Sequence, residues 1–227
     1  MLEKKRTKTV NTEFLQKYHT YLLSPFAPIH VNTDGYIVKQ ATAEDEERLI
    51  RFLNEEGKKK DFFPVIKKIS QFTDLNVSDF YLLLKDDEIV SAGALWNQTA
   101  YRQYMVKNYK GVLKVGRVFN PLLKKIGYMQ FPPQNKEIDY VMLSFLLSKD
   151  DNKEYLKGLL KNILKVAKNK HELIVIGTVE QSPLNEVMKE IRNVHFDSQI
   201  YGVEFMFENH KNTSINQENL YLECGLL

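Results

Sequence analysis

Between Ile138 and Leu147 the chain reads IDYVMLSFLL, apolar nearly throughout, as expected of a strand covered on both faces. The periodicity then changes. Leu156, Leu159, Leu160, Ile163 and Ala167 fall on one helical stripe and Lys153, Lys157, Lys161 and Lys165 on another, which predicts an amphipathic helix. ELIVIGT, residues 172–178, supplies a second buried strand. A strand, helix and strand of these lengths make a right-handed crossover with parallel strands. Ser182 then caps a further helix, with Pro183 in its first turn where the missing N–H is harmless.

Upstream, YIVKQAT from Tyr36 has strand composition, and Thr42–Asp45 is a capping-box pattern ahead of Leu49, Ile50 and Leu53. Phe62, Phe63, Ile66, Ile69 and Phe72 follow at helical spacing, with Pro64 tolerable near a first turn. Residues 79–96 form two apolar runs around Lys85, Asp86 and Asp87, a hairpin signal. TAYRQYMVKNYK, residues 99–110, reads as a helix with Tyr101, Tyr104, Met105 and Tyr109 inward. FDSQIYGVEFMF and the terminal LYLECGLL are expected to close the sheet as an antiparallel pair across a polar connection from Glu208 to Asn219. Residues 1–35 open with Lys4, Lys5, Arg6 and Lys8. They continue through an amphipathic stretch of Phe14, Leu15, Tyr18 and Leu22 to Pro25 and Pro28. They read as a linker or docking arm, and a compact domain is expected over 36–227.

Composition narrows the class. A chain of 227 residues at 43% hydrophobic can bury one sizeable core. A single cysteine, Cys224, cannot make an internal disulfide and reads as a small buried residue in a reducing compartment. No apolar run is long enough to cross a bilayer, and the first residues lack the apolar stretch of a signal peptide. A cytoplasmic protein with no membrane partner is therefore expected. Five scattered histidines give no metal-ligand spacing, so no metal is expected.

Charge adds a local feature. The net charge is only +3, yet from Ile89 to Lys136 there is no acidic residue. Eight basic ones stand there: Arg102, Lys107, Lys110, Lys114, Arg117, Lys124, Lys125 and Lys136. With the aromatics among them, residues 97–136 read as a basic insertion suited to a nucleic acid or another polyanion, or to a helix with its bases solvated.

From Tyr36 onward the element order, with KDDEIVSAGALW in the hairpin and FDSQIYGVEF near the end, resembles the GNAT superfamily of acyl-CoA-dependent N-acyltransferases. The first 35 residues resemble the connector of tandem members, which would make this chain akin to a C-terminal half. The resemblance implies an α/β (α+β) fold: a mixed, mostly antiparallel sheet with a central parallel βαβ pair and helices on both faces. It also implies acetyl-CoA or another acyl-CoA as substrate. Pantetheine would lie between two splayed parallel strands, and the diphosphate would sit on the turn after the first of them. Leu146, Leu147, Ser148, Lys149, Asn152, Lys153 and Asn185 would then contact the cofactor.

The same turn departs from the family pattern. Where the family runs Gln or Arg, then two glycines or Gly and Ala, this chain has Asp151, Glu154 and Leu156. A carboxylate about 4 Å from a phosphate repels it by about 4 kcal/mol at an effective dielectric of about 20. Micromolar affinity amounts to about 8 kcal/mol in total. The alternative reading of the turn is an acidic helix cap. Glu137 and Asp139 are candidates for a base, since partial burial raises a carboxyl group's pKa. Tyr201 is a candidate for protonating a departing thiolate. Trp96, Asn97, Gln98 and Arg102 are candidates for holding the acceptor. Three functions stay open at the sequence level, the first two being acyl transfer to a small-molecule or peptide amine by direct attack and a degenerate GNAT-like binding module engaging a partner such as RNA through the insertion. A donor carried on RNA is a third.

Overall fold

A computed structural model describes residues 10–168, 170–205 and 217–227. Its elements run β1 (Val10–Leu23), β2 (Ile37–Gln40), α1 (Glu46–Gly57), β3 (Phe80–Lys85), β4 (Glu88–Trp96), α2 (Val112–Gly116), α3 (Asn120–Lys125), β5 (Tyr140–Ser148), α4 (Lys153–Ala167), β6 (Leu173–Val179), α5 (Pro183–Lys189) and β7 (Asn193–Phe205). The strands form one sheet in the order β2-β3-β4-β5-β6-β1-β7. Among the described strands only β5 and β6 pair in parallel. One apolar cluster packs beneath α1, with Leu49, Leu53, Phe80, Trp96 and Phe145. The other lies beneath α4 and α5, with Leu83, Leu143, Leu159, Ile163, Ile176 and Val187. This is the mixed sheet with a central βαβ pair and helices on both faces that the pattern and the resemblance implied.

Local chemistry explains the elements that were legible. The β3–β4 turn holds Asp86 and Asp87 at φ +50° and +64° between the paired Lys85 and Glu88. A two-residue hairpin loop needs both in the left-handed region, which Asp tolerates. At the start of the α1 region the Asp45 carboxylate accepts from the Thr42 backbone N–H at 2.9 Å and from its hydroxyl at 3.0 Å. Lys39 completes that cap at 2.7 Å. Burial pushes the Asp45 carboxyl up, but Lys39 and Thr42 outweigh it and hold it below its usual range.

Four expectations are corrected. The segment read as an arm is, over Val10–Leu23, a strand inserted between β6 and β7 and paired antiparallel with both. No α-helix forms over 62–72, where the one helical turn is a short 3-10 turn at Ile69–Gln71. Phe62 sits at φ +68° ahead of Pro64, and the Asn54 side chain brackets the Ile66 backbone at 2.7 and 3.0 Å, leaving Ile66 and Ile69 buried on an irregular path. Residues 99–110 are not a helix either. Met105 bridges to Glu137 and Val106 to Gln134, while the Tyr109 hydroxyl donates to Pro132 O at 2.8 Å. Tyr101, Tyr104 and Met105 are consequently exposed, and only Tyr109 turns inward. Finally, β7 pairs with β1 rather than with the terminal segment, which runs back across the sheet from a bridge between Leu220 and Asp61. Lys4, Lys5, Arg6, Lys8, the last two residues of FDSQIYGVEFMF and residues 208–216 of the polar connection lie outside the described residues.

Candidate functional site

The two parallel strands pair over four rungs only, from Tyr140 with Leu173 to Leu143 with Ile176. Beyond them β5 leaves β6 to follow β4. Its register against β4 slips between Ala92 and Ala94, and Phe145 takes φ +52° at the bulge. A wedge opens between Ser144–Ser148 and Gly177–Val179, where the resemblance implied pantetheine.

The chain's own C-terminal segment fills that wedge. Glu223 is buried, with its carboxylate accepting from the Phe145 N–H at 2.6 Å, the Gly225 N–H at 3.1 Å and the Tyr221 hydroxyl at 2.5 Å. Two glycines set the closeness of the fit. A Cβ on Gly225 would lie 2.6 Å from the Trp96 ring and 2.7 Å from Ser144 Oγ, and one on Gly177 would lie 2.7 Å from Cys224 Cβ. The space left beside Leu146, Ser148, Gly177, Tyr221 and Glu223 is about 30 Å³, water-sized. Burial pushes the Glu223 carboxyl up, against the hydrogen bonds from Tyr221, Gly225 and Phe145 that favour its charged form. Burial likewise pushes the Cys224 thiol up to about 11, with the Glu223 charge acting in the same sense.

The turn after β5 is a helix cap. Asn152 Oδ1 accepts from the backbone N–H groups of Glu154 at 2.9 Å and Tyr155 at 3.2 Å. The Asn152 N–H itself donates to Lys149 O at 3.2 Å, and the Asp150 N–H donates to Glu56 Oε2 at 3.1 Å. Asp150 and Asp151, at φ +53° and +54°, pair with Lys59 and Lys60, each at 2.8 Å. The Asp150 carboxylate and then Glu56 hold the Lys59 ammonium above its usual range. The nearby cations are paired too, Lys149 with Glu88 at 3.2 Å and Lys153 with Glu186. A diphosphate placed here would meet committed amides, two carboxylates and neutralised lysines. The residues present do not fit acyl-CoA in this conformation.

The predicted site residues are not brought together. Leu146, Leu147 and Ser148 line the wedge, whereas Lys149, Asn152 and Lys153 make the contacts just described. Asn185 is buried, donating to Glu180 O at 2.9 Å and accepting from the Tyr21 hydroxyl. Glu137 and Asp139 are exposed at the start of β5, the end opposite the wedge, with Asp139 paired to His171 at 3.0 Å. Tyr201 is exposed on the edge strand β7, its hydroxyl donating to Gln199 Oε1 at 2.5 Å. Trp96 is a core residue whose Nε1–H donates to Thr73 O at 3.0 Å. Asn97 forms a turn, accepting from the Thr99 N–H at 3.0 Å. Gln98 is wholly buried and donates to Gly225 O at 2.7 Å. Arg102 alone among the acceptor candidates lines an open cavity.

That cavity, about 750 Å³, lies over the β1, β5, β6 and β7 face beyond α1. Sequence reasoning missed it because β1 supplies Tyr18, Thr20 and Leu22 to its wall. It also missed Glu223, whose one signal is an acid inside the apolar run LYLECGLL, and the lysines that neutralise the acidic turn. Among the described residues no group of His, Cys, Asp and Glu could hold a metal ion. No described helix is long and apolar enough to cross a membrane.

No family model matches the sequence, and no curated protein matches it. Solved structures do align with it. One, from Novosphingobium aromaticivorans and assigned to the GNAT family of acetyltransferases, is similar over 85% of this chain and 68% of its own, at 8% identity and a TM-score of 0.43. Another, a Drosophila protein, is similar over 87% of this chain and 52% of its own, at 11% identity and a TM-score of 0.45.

Proposed function

We propose that the chain is a binding module built on an N-acyltransferase-like scaffold. It takes its ligand in the open cavity beyond α1 and does not turn over acyl-CoA. The observation that carries this reading is the Glu223 carboxylate in the wedge, where it satisfies the Phe145 and Gly225 amides. Leaving a buried amide unpaired costs about 1–3 kcal/mol. A cofactor entering the wedge has to replace those bonds and displace Tyr221–Leu227, while its diphosphate faces Asp150 and Asp151.

One feature favours a second reading, an N-acyltransferase moving an acyl group from acyl-CoA to an amine: β5 and β6 still splay, with a left-handed bulge at Phe145. Under that reading the terminal segment leaves when cofactor binds. Calorimetry with acetyl-CoA and with CoA separates the two. The binding module gives no binding heat up to millimolar cofactor. A dissociation constant in the micromolar range, about 8 kcal/mol of binding, sinks it and restores the transferase.

A further inference from the structure

Among the described residues Arg102 is the one charged side chain lining the large cavity. The walls are otherwise apolar over most of their extent, with Leu22, Met142, Leu173, Val175, Phe196 and Ile200 among them. The arginine's backbone is fixed on both sides. Its N–H donates to Gln98 O at 2.8 Å, and its carbonyl accepts from the Tyr140 hydroxyl at 2.7 Å. Both partners are anchored: Tyr140 and Gln98 are buried, and Gln98 is tied to Gly225. Tyr104 packs edge-on against Tyr140, with centroids 5.2 Å apart, and lines the same cavity. Among the described residues no carboxylate lies within ion-pairing distance of Arg102, although other cations of the fold, such as Lys39, Lys59, Lys60, Lys149 and Lys157, are paired.

An unpaired guanidinium carried on a fixed backbone beside an apolar cavity of ligand size is complementary to one kind of molecule. An apolar body gains by leaving water, and a planar anionic head can be gripped by the guanidinium fork. An ammonium head would meet the same positive charge, and a neutral head would leave the guanidinium with no partner. From this we infer that the cavity binds an amphiphile carrying a single anionic head group, with Arg102 as its anchor. The inference rests on the binding-module reading of the chain. It requires no movement of Glu223, because cavity and wedge are separate spaces.

The test is a calorimetric titration of the whole chain with three probes of one chain length: decanoate, 1-decanol and decylammonium. Decanoate should bind about tenfold or more tighter than decanol, the worth of one charged hydrogen-bonded contact. Decylammonium should bind weakest. Arg102→Gln should erase the advantage of decanoate over decanol, and Ile200→Trp, filling the cavity from the edge strand, should weaken both. Equal affinity of wild-type protein for decanoate and decanol, absence of binding by either, or an Ile200→Trp variant that binds as well as wild type overturns the inference. Thermal melts establish that each variant is folded. If Arg102→Gln is not, the wild-type ranking of the three probes decides alone. Acetyl-CoA is titrated in the same series. Its binding sinks the proposed function, while the decanoate-to-decanol ratio still judges the cavity.

Discussion

Two buried acids illustrate what single residues reveal. Asp45 announces itself in the sequence because a capping box has a fixed spacing, and its carboxylate does what that spacing requires. Glu223 has no such local rule. Its partners Phe145, Tyr221 and Gly225 are set by a β-bulge and a chain terminus meeting across the sheet, so only coordinates assemble them. The two acids also respond to pH in opposite senses. Asp45 is held low, so its contribution is present at neutral pH and lost as the pH falls through its folded value. Glu223 is held high by burial. An unfolded glutamate titrates near about 4.3, so above that pH the folded state binds more protons than the unfolded one. Stability from this group therefore declines as the pH rises from there through the folded pKa. Urea midpoints measured across that window should fall for wild type relative to Glu223→Gln, which cannot titrate. Parallel pH profiles for the two proteins would count against a buried carboxylate in the wedge whose charged form burial disfavours.

Legibility at the scale of elements followed periodicity. The β3–β4 hairpin, β5, α4 and β6 were readable because each has a full apolar stripe or run and an orthodox boundary. The failures fall where tertiary pairing overrides local spacing. Phe62 to Phe72 has helical intervals, but Pro64 and the Asn54 bracket hold the chain open. Residues 99–110 pair with their own return limb instead of coiling. The acidic turn gave two readings, and the structure makes it a cap in which Asn152, rather than either aspartate, accepts from the helix amides. Asn152→Ala should therefore destabilise the fold by about 1 kcal/mol in chemical denaturation, the usual worth of an N-cap. Asp151→Asn, which alters only an exposed pair with Lys60, should cost clearly less. The reverse order would mean that the aspartates organise the turn.

Across the whole molecule the most consequential departure is β1. Read from the sequence it belongs to a connector, yet it pairs with β6 over six positions and with β7 along nearly its whole length. Without it β7 has no partner among the described strands and the large cavity loses a wall. Deleting residues 1–23 should abolish the cooperative thermal transition and expose apolar surface. A truncated chain that melts cooperatively near the wild-type temperature would show that the strand is dispensable. The same scale governs function, since wedge, terminus and cavity are created by elements far apart in sequence. Crystallising the chain with millimolar CoA tests the central claim most directly. The account predicts density for Glu223 between β5 and β6, accepting from the Phe145 amide, and none for pantetheine. Pantetheine between those strands, with Tyr221–Leu227 displaced, would contradict it.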